Sequence, residues 1–224
     1  MELVARPVAP CGSVWYRSEM TKPTLTYFDI PTSRGEECRL ALTIAGVDFT
    51  DERLDQAAWQ SRKAAAPYGA LPVYTEAGRP PLAQSNAILR LIGSQHGLMP
   101  SDPWESARHE ALMCAVEELR GKLGPTGRIK DPDEKKKARE ALAAGFFPEW
   151  CAQVERQIHG PFFGGANLSV ADLKLFVVMS PLLKGSIDHV PTSTFEPFPK
   201  LRAVVDAVKA HPKVVAWYAR PART

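Results

Sequence analysis

The stretch Leu71-Pro72-Val73 constrains this chain more than any other. Val73-Tyr74-Thr75 is prone to form a strand, but a proline donates no ladder hydrogen bond, so Pro72 belongs at an edge, a bulge or a cis turn. A cis bond there would turn the Leu71 backbone outward, leaving its N–H and C=O free to pair with an extended peptide. Gln84-Ser85 then opens a helical pattern, Asn86-Ala87-Ile88-Leu89-Arg90-Leu91-Ile92. The free N–H groups and positive dipole end of such a helix attract a carboxylate. A place for a peptide backbone beside a place for a carboxylate describes a receptor for a short acidic peptide.

The surrounding pattern supplies a scaffold. Thr24 to Asp29 reads as a short strand, and Pro31-Thr32-Ser33 as a turn. Ser33-Arg34-Gly35-Glu36 has capping-box spacing ahead of a helix. That helix carries Cys38, Ala41, Leu42 and Ala45 on one face and ends at Gly46. Val47 to Leu54 suggests a second strand, followed by a loop through Trp59 and Lys63. A strand at Leu71–Thr75, a Gly78 turn, a short strand at Pro81–Ala83 and the helix from Ser85 complete the unit. Strand, helix, strand, hairpin, helix is the order of a thioredoxin-like domain, here residues 23–97. Residues 98–105, with Pro100 and Pro103, read as a linker. Beyond it, 106–224 carries helical patterns only: Ala107–Lys122, Asp133–Ala144, Phe146–Gln157, one capped by Ser169-Val170-Ala171-Asp172 and running to Met179, Phe198–Ala210 and Lys213–Tyr218. The expected fold class is therefore α/β plus all-α.

Residues 1–22 form an extension with Pro7, Pro10, Cys11 and scattered charges, and without a continuous apolar segment of the signal-peptide kind. Elsewhere the longest apolar run, Leu175 to Leu183, is interrupted by Ser180 and Pro181, short of the roughly 20 residues that span a bilayer. The 224 residues carry a formal net charge of +3. The run Lys135-Lys136-Lys137 is interleaved with acids and reads as a solvated face, so no nucleic-acid footprint is expected. The four cysteines (Cys11, Cys38, Cys114 and Cys151) have neither C-x-x-C nor zinc-like spacing. A reducing, cytoplasmic setting and no metal are expected.

Five segments, in order, now carry a resemblance: Tyr27-Phe28-Asp29, Asp55-Gln56-Ala57-Ala58-Trp59, Tyr68-Gly69-Ala70-Leu71-Pro72, Gln84-Ser85 and Leu168-Ser169-Val170-Ala171-Asp172. Together they resemble the tyrosine-type cytosolic glutathione transferases, nearest the sigma class with its glutathione-dependent prostaglandin D synthases. The resemblance implies glutathione as co-substrate, a small apolar electrophile, a detoxification role and a homodimer. It implies Tyr27 as the catalytic hydrogen-bond donor to the glutathione sulfur. It further implies Trp59 and Lys63 at the glycine end, Leu71 and Pro72 at the cysteinyl backbone, and Gln84 and Ser85 at the γ-glutamyl carboxylate. Glu117 or Glu118 would reach the γ-glutamyl ammonium of the partner subunit.

Two departures stand out. The segment after Tyr27-Phe28 is one residue longer than in sigma-like enzymes, so Thr32 or Ser33 could replace Tyr27 as donor, although Ser33 also fits a helix cap. Ala70 stands where the family has a second lysine, leaving the glycyl carboxylate one partner fewer. Phe28, Met113 and Leu123 are candidate walls of the electrophile pocket, which the Ala107–Gly124 helix would partly line. A glutathione-dependent isomerase and a non-catalytic structural relative share the same fold.

Overall fold

The structure is a computed structural model, and it describes residues 22–221. Residues 1–21 of the extension, Cys11 among them, lie outside the described residues. Strand β1 (Thr24–Phe28) is central in a four-stranded sheet of order β2-β1-β3-β4, with β2 at Thr50–Leu54, β3 at Val73–Thr75 and β4 at Leu82–Ala83. β1 runs parallel to β2, Thr24 opposite Thr50 and Phe28 opposite Leu54. It runs antiparallel to β3, which pairs antiparallel with β4. A parallel pair needs a crossover, and α1 (Ser33–Ala45) supplies it, closing on Gly46 at φ 73, where a side chain would be strained.

Three expectations change. The stretch read as a loop through Trp59 forms helix α2 (Gln56–Arg62), started by the Asp55 carboxylate, which accepts the Ala58 N–H at 2.7 Å. One capping residue was enough to start a helix too short to show a periodic apolar stripe. The helix read at Ala107–Lys122 is longer at both ends. Helix α3 (Ser85–Gln95) is followed by α4 (Pro103–Thr126), with Pro103 in the first turn and Asp102 accepting the Glu105 N–H. Finally, α1 is buried around its whole circumference from Gly35 to Leu42, Glu36, Glu37 and Arg39 included, and not along one apolar stripe. It packs against α3 on its own side and against α7 and α9 of the helical domain. A helix at a domain seam has no solvent face, and its polar residues must find partners.

The helical domain continues through α5 (Pro132–Ala141), a π-turn at Leu142–Phe146, α6 (Phe147–Gln157), α7 (Val170–Leu183), α8 (Pro199–Ala210) and α9 (Pro212–Tyr218). α7 is its axis. The expected capping box is present, with Ser169 and Asp172 bonded reciprocally. Asp172 also accepts the Phe163 N–H at 2.7 Å, tying the preceding loop to the helix. A single apolar core runs through both domains, from Leu25, Leu40 and Ile88 to Met113, Leu173 and Leu201, while Leu54, Trp59, Ala66, Val73 and Ala83 form a smaller cluster on the other face of the sheet. Among the described residues no helix is long and apolar enough to cross a membrane.

Candidate active site between the two domains

Tyr27 is buried near the end of β1, and its setting explains how it is held. The fully buried Arg39 guanidinium donates to the carbonyls of Phe28 and Ile30 at 2.9 Å each, to Asp51 at 2.8 Å and to Glu36 at 3.2 Å. This pins the turn that follows Tyr27, and the same guanidinium lies 5.8 Å from the Tyr27 ring centre. On the α1 side, the missing side chain of Gly35 makes room for the ring: a Cβ there would fall 2.1 Å from Tyr27 Cδ1.

The Tyr27 hydroxyl donates to Ser33 Oγ over a long 3.4 Å. Ser33 is not the helix cap its spacing suggested. Thr32 occupies the N-cap position without a side-chain bond, and Ser33 is the first helical residue, with φ 67 in the left-handed region. Glu36, the residue that would reach back in a capping box, instead accepts from Trp217 Nε1 at 2.6 Å and from Arg39. The demands of a buried carboxylate overrode the local capping pattern. Thr32 and Ser33 together edge a cavity of about 420 Å³ between the domains.

That cavity has two kinds of wall. Leu123 and Pro125 of α4 and Val177, Val178 and Pro181 of α7 are apolar, whereas Arg34, Arg120 and Arg128 are cationic. Of the three expected wall residues only Leu123 lines it. Met113 is fully buried in the main core and Phe28 packs edge-on against Trp59.

The peptide-binding elements lie on the sheet and α3. The Leu71–Pro72 bond is cis, Pro72 is buried, and Leu71 makes no backbone hydrogen bond among the described residues. Gln84 caps α3 with φ 73 and ψ 113, a strained conformation for a residue with a side chain, and its side chain is exposed. Ser85 follows as the first residue of α3 and is buried. Trp59 is buried in the smaller core cluster, while Lys63 is exposed with no ion-pair partner among the described residues.

The two acids on α4 diverge. Glu118 is exposed and lines a separate groove with Arg108, Trp150 and Gln153. Glu117 is engaged within its own chain, accepting from Arg34 at 2.6 Å, Arg120 at 2.8 Å and Lys174 at 2.6 Å. Burial alone would raise its carboxyl, but the three cations outweigh burial and hold it at about 2. Lys174 and Arg120 also share Glu37 of α1, at 2.6 and 2.7 Å. This ion cluster was not foreseen from sequence. Lys174 sits inside the apolar pattern of α7, and only the doublet Glu36-Glu37 inside α1 signalled buried acids in need of cations. Burial pushes the thiols of Cys38 and Cys151 up, the latter to about 12, so neither is a reactive thiolate. Among the described residues no group of His, Cys, Asp and Glu could hold a metal ion.

A thioredoxin-like domain with a cis-proline turn, sharing a core with an all-helical domain, defines the class of protein. The comparisons with known proteins name the family. The signature described as "Glutathione S-transferase, N-terminal domain" matches residues 23–94, and that described as "Glutathione S-transferase, C-terminal domain" matches residues 125–221. The chain belongs to the cytosolic glutathione transferase family of enzymes and has its glutathione-binding fold. It is 29% identical over 201 residues to the hematopoietic prostaglandin D synthase of Gallus gallus, spanning 89% of this chain and 96% of the relative. It is 23% identical over 220 residues to S-crystallin 4 of Enteroctopus dofleini, spanning 92% and 99%. The crystal structure of the glutathione S-transferase from Ascaris lumbricoides superposes with a TM-score of 0.79 at 27% identity, covering 91% of this chain and 98% of that one.

Proposed function

We propose that this protein activates glutathione as a thiolate and conjugates it to small electrophiles with an apolar body, Tyr27 being the catalytic donor. The observation that carries this reading is the Tyr27 hydroxyl, held by no more than a 3.4 Å bond to Ser33, which itself lines the interdomain cavity. A donor so loosely engaged can turn to a sulfur at small cost. A free thiol with pKa near ~8.5 is mostly protonated at neutral pH. A phenol that donates to the sulfur favours the anion while remaining neutral itself. The thiolate then attacks the electrophilic carbon of a substrate lying against Leu123, Val177 and Val178, forming the S–C bond as the leaving group departs or a ring or double bond opens.

Leu71 would pair with the cysteinyl backbone beside Pro72, Gln84 and Ser85 would take the γ-glutamyl carboxylate, and Trp59 and Lys63 the glycine end. The unengaged Lys63 ammonium supports its part. Glu118 is favoured over Glu117 as the acid that reaches across a homodimer, because Glu117 already has three cations in its own chain. Two exposed aromatics support a self-association surface: Tyr68, 84% exposed at φ 56, and Trp104, 75% exposed at the start of α4. Sedimentation at micromolar concentration tests the dimer. Free thiols at Cys38, Cys114 and Cys151 fit the reducing cytoplasm.

The avian prostaglandin D synthase relative favours a second reading, glutathione-dependent isomerisation, in which the same thiolate is regenerated. The relationship to an S-crystallin raises a structural role, against which Tyr27, Gln84 and Ser85 together argue. A turnover screen over halides, epoxides, enals and endoperoxides, with glutathione consumption followed in parallel, decides among the three. Consumption marks conjugation, product without consumption marks isomerisation, and no turnover or glutathione binding refutes the enzyme reading.

A further inference from the structure

Lys174 has no part in the mechanism just described, yet among the described residues it is a lysine buried completely, which is rare for this side chain. Its ammonium is 0% exposed, on the side of α7 that faces α1, α3 and α4. It makes three hydrogen bonds, to Glu37 Oε1 at 2.6 Å, Glu117 Oε1 at 2.6 Å and Ser85 Oγ at 3.2 Å. An ammonium has three N–H donors and no acceptor, so each donor is engaged and Ser85 can only accept in its bond. The Ser85 proton is therefore left to donate elsewhere, and no acceptor for it exists among the described residues. Charge points the same way. Lys174 and Arg120 balance Glu37 and Glu117 inside the seam, and of these two cations only Lys174 touches the first turn of α3, through Ser85. A brace between helices needs no buried ammonium, since an apolar side chain of similar volume holds helices together without the cost of burying an ion.

We propose that Lys174 is a positioning residue for the amino-acid end of glutathione. It fixes the Ser85 hydroxyl as a donor toward the γ-glutamyl carboxylate and holds a buried ammonium 3.2 Å behind that hydroxyl. The proposal rests on the glutathione reading of the site and goes beyond it in naming how selectivity for one carboxylate arises.

The test compares glutathione with 4-aminobutyryl-cysteinylglycine, the same molecule without the γ-glutamyl carboxylate, by calorimetry on the purified full chain. The parent protein binds glutathione at least tenfold more tightly. In Lys174→Met that preference falls below about threefold, with the loss confined to glutathione and the analogue's affinity unchanged. KM for glutathione rises while kcat at saturation is retained. An equal loss for both ligands, or a preference that survives in folded Lys174→Met, overturns the proposal in favour of a purely structural lysine. If Lys174→Met does not fold, Lys174→Gln, which keeps a donor for Ser85 but no charge, carries the same comparison. The parent alone adds a further arm: a buried charge is little screened, so its preference persists from 50 to 500 mM salt (~8-fold or more), and collapse in salt counts against the proposal. A parent that binds neither ligand refutes the glutathione reading itself, whereas one that binds both equally refutes only the role of Lys174.

Discussion

Substituting Gly35 by alanine separates the geometry of Tyr27 from everything else in the site. The new Cβ would stand 2.1 Å from Tyr27 Cδ1, 2.2 Å from Cγ and 2.7 Å from Cβ. Carbon atoms in contact sit about 3.5–4.0 Å apart, so the ring must withdraw by more than ~1 Å. Its room to do so is limited by the Phe28 ring, with centres 5.5 Å apart, and by the Arg39 guanidinium. The hydroxyl therefore leaves its position. Loss of a hydrogen bond to a charged sulfur costs about 1.5–3 kcal/mol, which is roughly ten- to a hundredfold in rate at neutral pH. Overpacking costs a further ~1–3 kcal/mol of stability, partly offset by the ~1 kcal/mol that alanine gains over glycine within a helix. Glutathione affinity should change little, because Leu71, Gln84 and Ser85 lie on other elements. Steady-state kinetics with a halide electrophile, paired with thiolate absorbance against pH, measures both parts. The decisive control is the double variant: in Tyr27→Phe, adding Gly35→Ala should cost almost nothing further in rate. A Gly35→Ala enzyme with parental rate and thiolate pKa, or full additivity with Tyr27→Phe, would refute the reasoning.

The same titration separates the two candidate donors: Tyr27→Phe should raise the pKa of bound glutathione by about one to two units, while Ser33→Ala leaves it near the parent value. The reverse pattern would make this a serine-type enzyme. Ser85→Ala should weaken glutathione binding about tenfold or more by calorimetry, and Lys63→Ala only a few-fold, since a buried hydroxyl at a helix terminus outweighs an exposed flexible charge. Arg128 is exposed at the rim of the cavity without an ion-pair partner among the described residues. An aryl halide bearing a carboxylate should therefore react with a higher kcat/KM than its methyl ester, and Arg128→Ala should remove that advantage. Glu117 is held at about 2, below the ordinary ~4.3 of an unfolded glutamate. Its contribution to stability is thus complete above about pH 4.3 and lost as pH falls toward about 2. Glu117→Gln should flatten the acid limb of a denaturation curve within that window and leave its slope near neutrality unchanged.

Segments governed by local rules were legible in the sequence. The Leu71-Pro72 turn, the Gly46 terminus of α1 and the Ser169–Asp172 capping box each depend on a few adjacent residues, and each is where its chemistry puts it. Local rules failed where a distant partner made a stronger demand. Ser33 and Glu36 have capping-box spacing, but Trp217 and Arg39 claim the glutamate and Tyr27 claims the serine. Adjacent in sequence, Glu117 and Glu118 looked equivalent. A helix turns about 100° per residue, which sends one into the seam and the other to the surface. Lys174 was hidden for the opposite reason: one cation among the apolar residues of α7 gives no periodic signal, and its partners are 57, 89 and 137 residues away.

The seam where those long-range partners meet also explains why two domains of different architecture share one core. Glu37 of α1, Glu117 and Arg120 of α4, Lys174 of α7 and Ser85 of α3 form a connected polar network inside apolar surroundings. Such a network gains little net stability, since desolvation opposes the Coulomb attraction. What it contributes is registry. Ammonium, guanidinium and carboxylate groups must all be satisfied at once, so the helices can settle in few relative positions. Ser85 at one end of the network and Arg34 at the other are set by the same contacts, the first at the helix terminus that would hold the peptide, the second in the wall of the cavity that would hold the electrophile. A thiol and an electrophile brought together from different domains need that registry, because an error near 1 Å between reacting atoms costs about a hundredfold in rate.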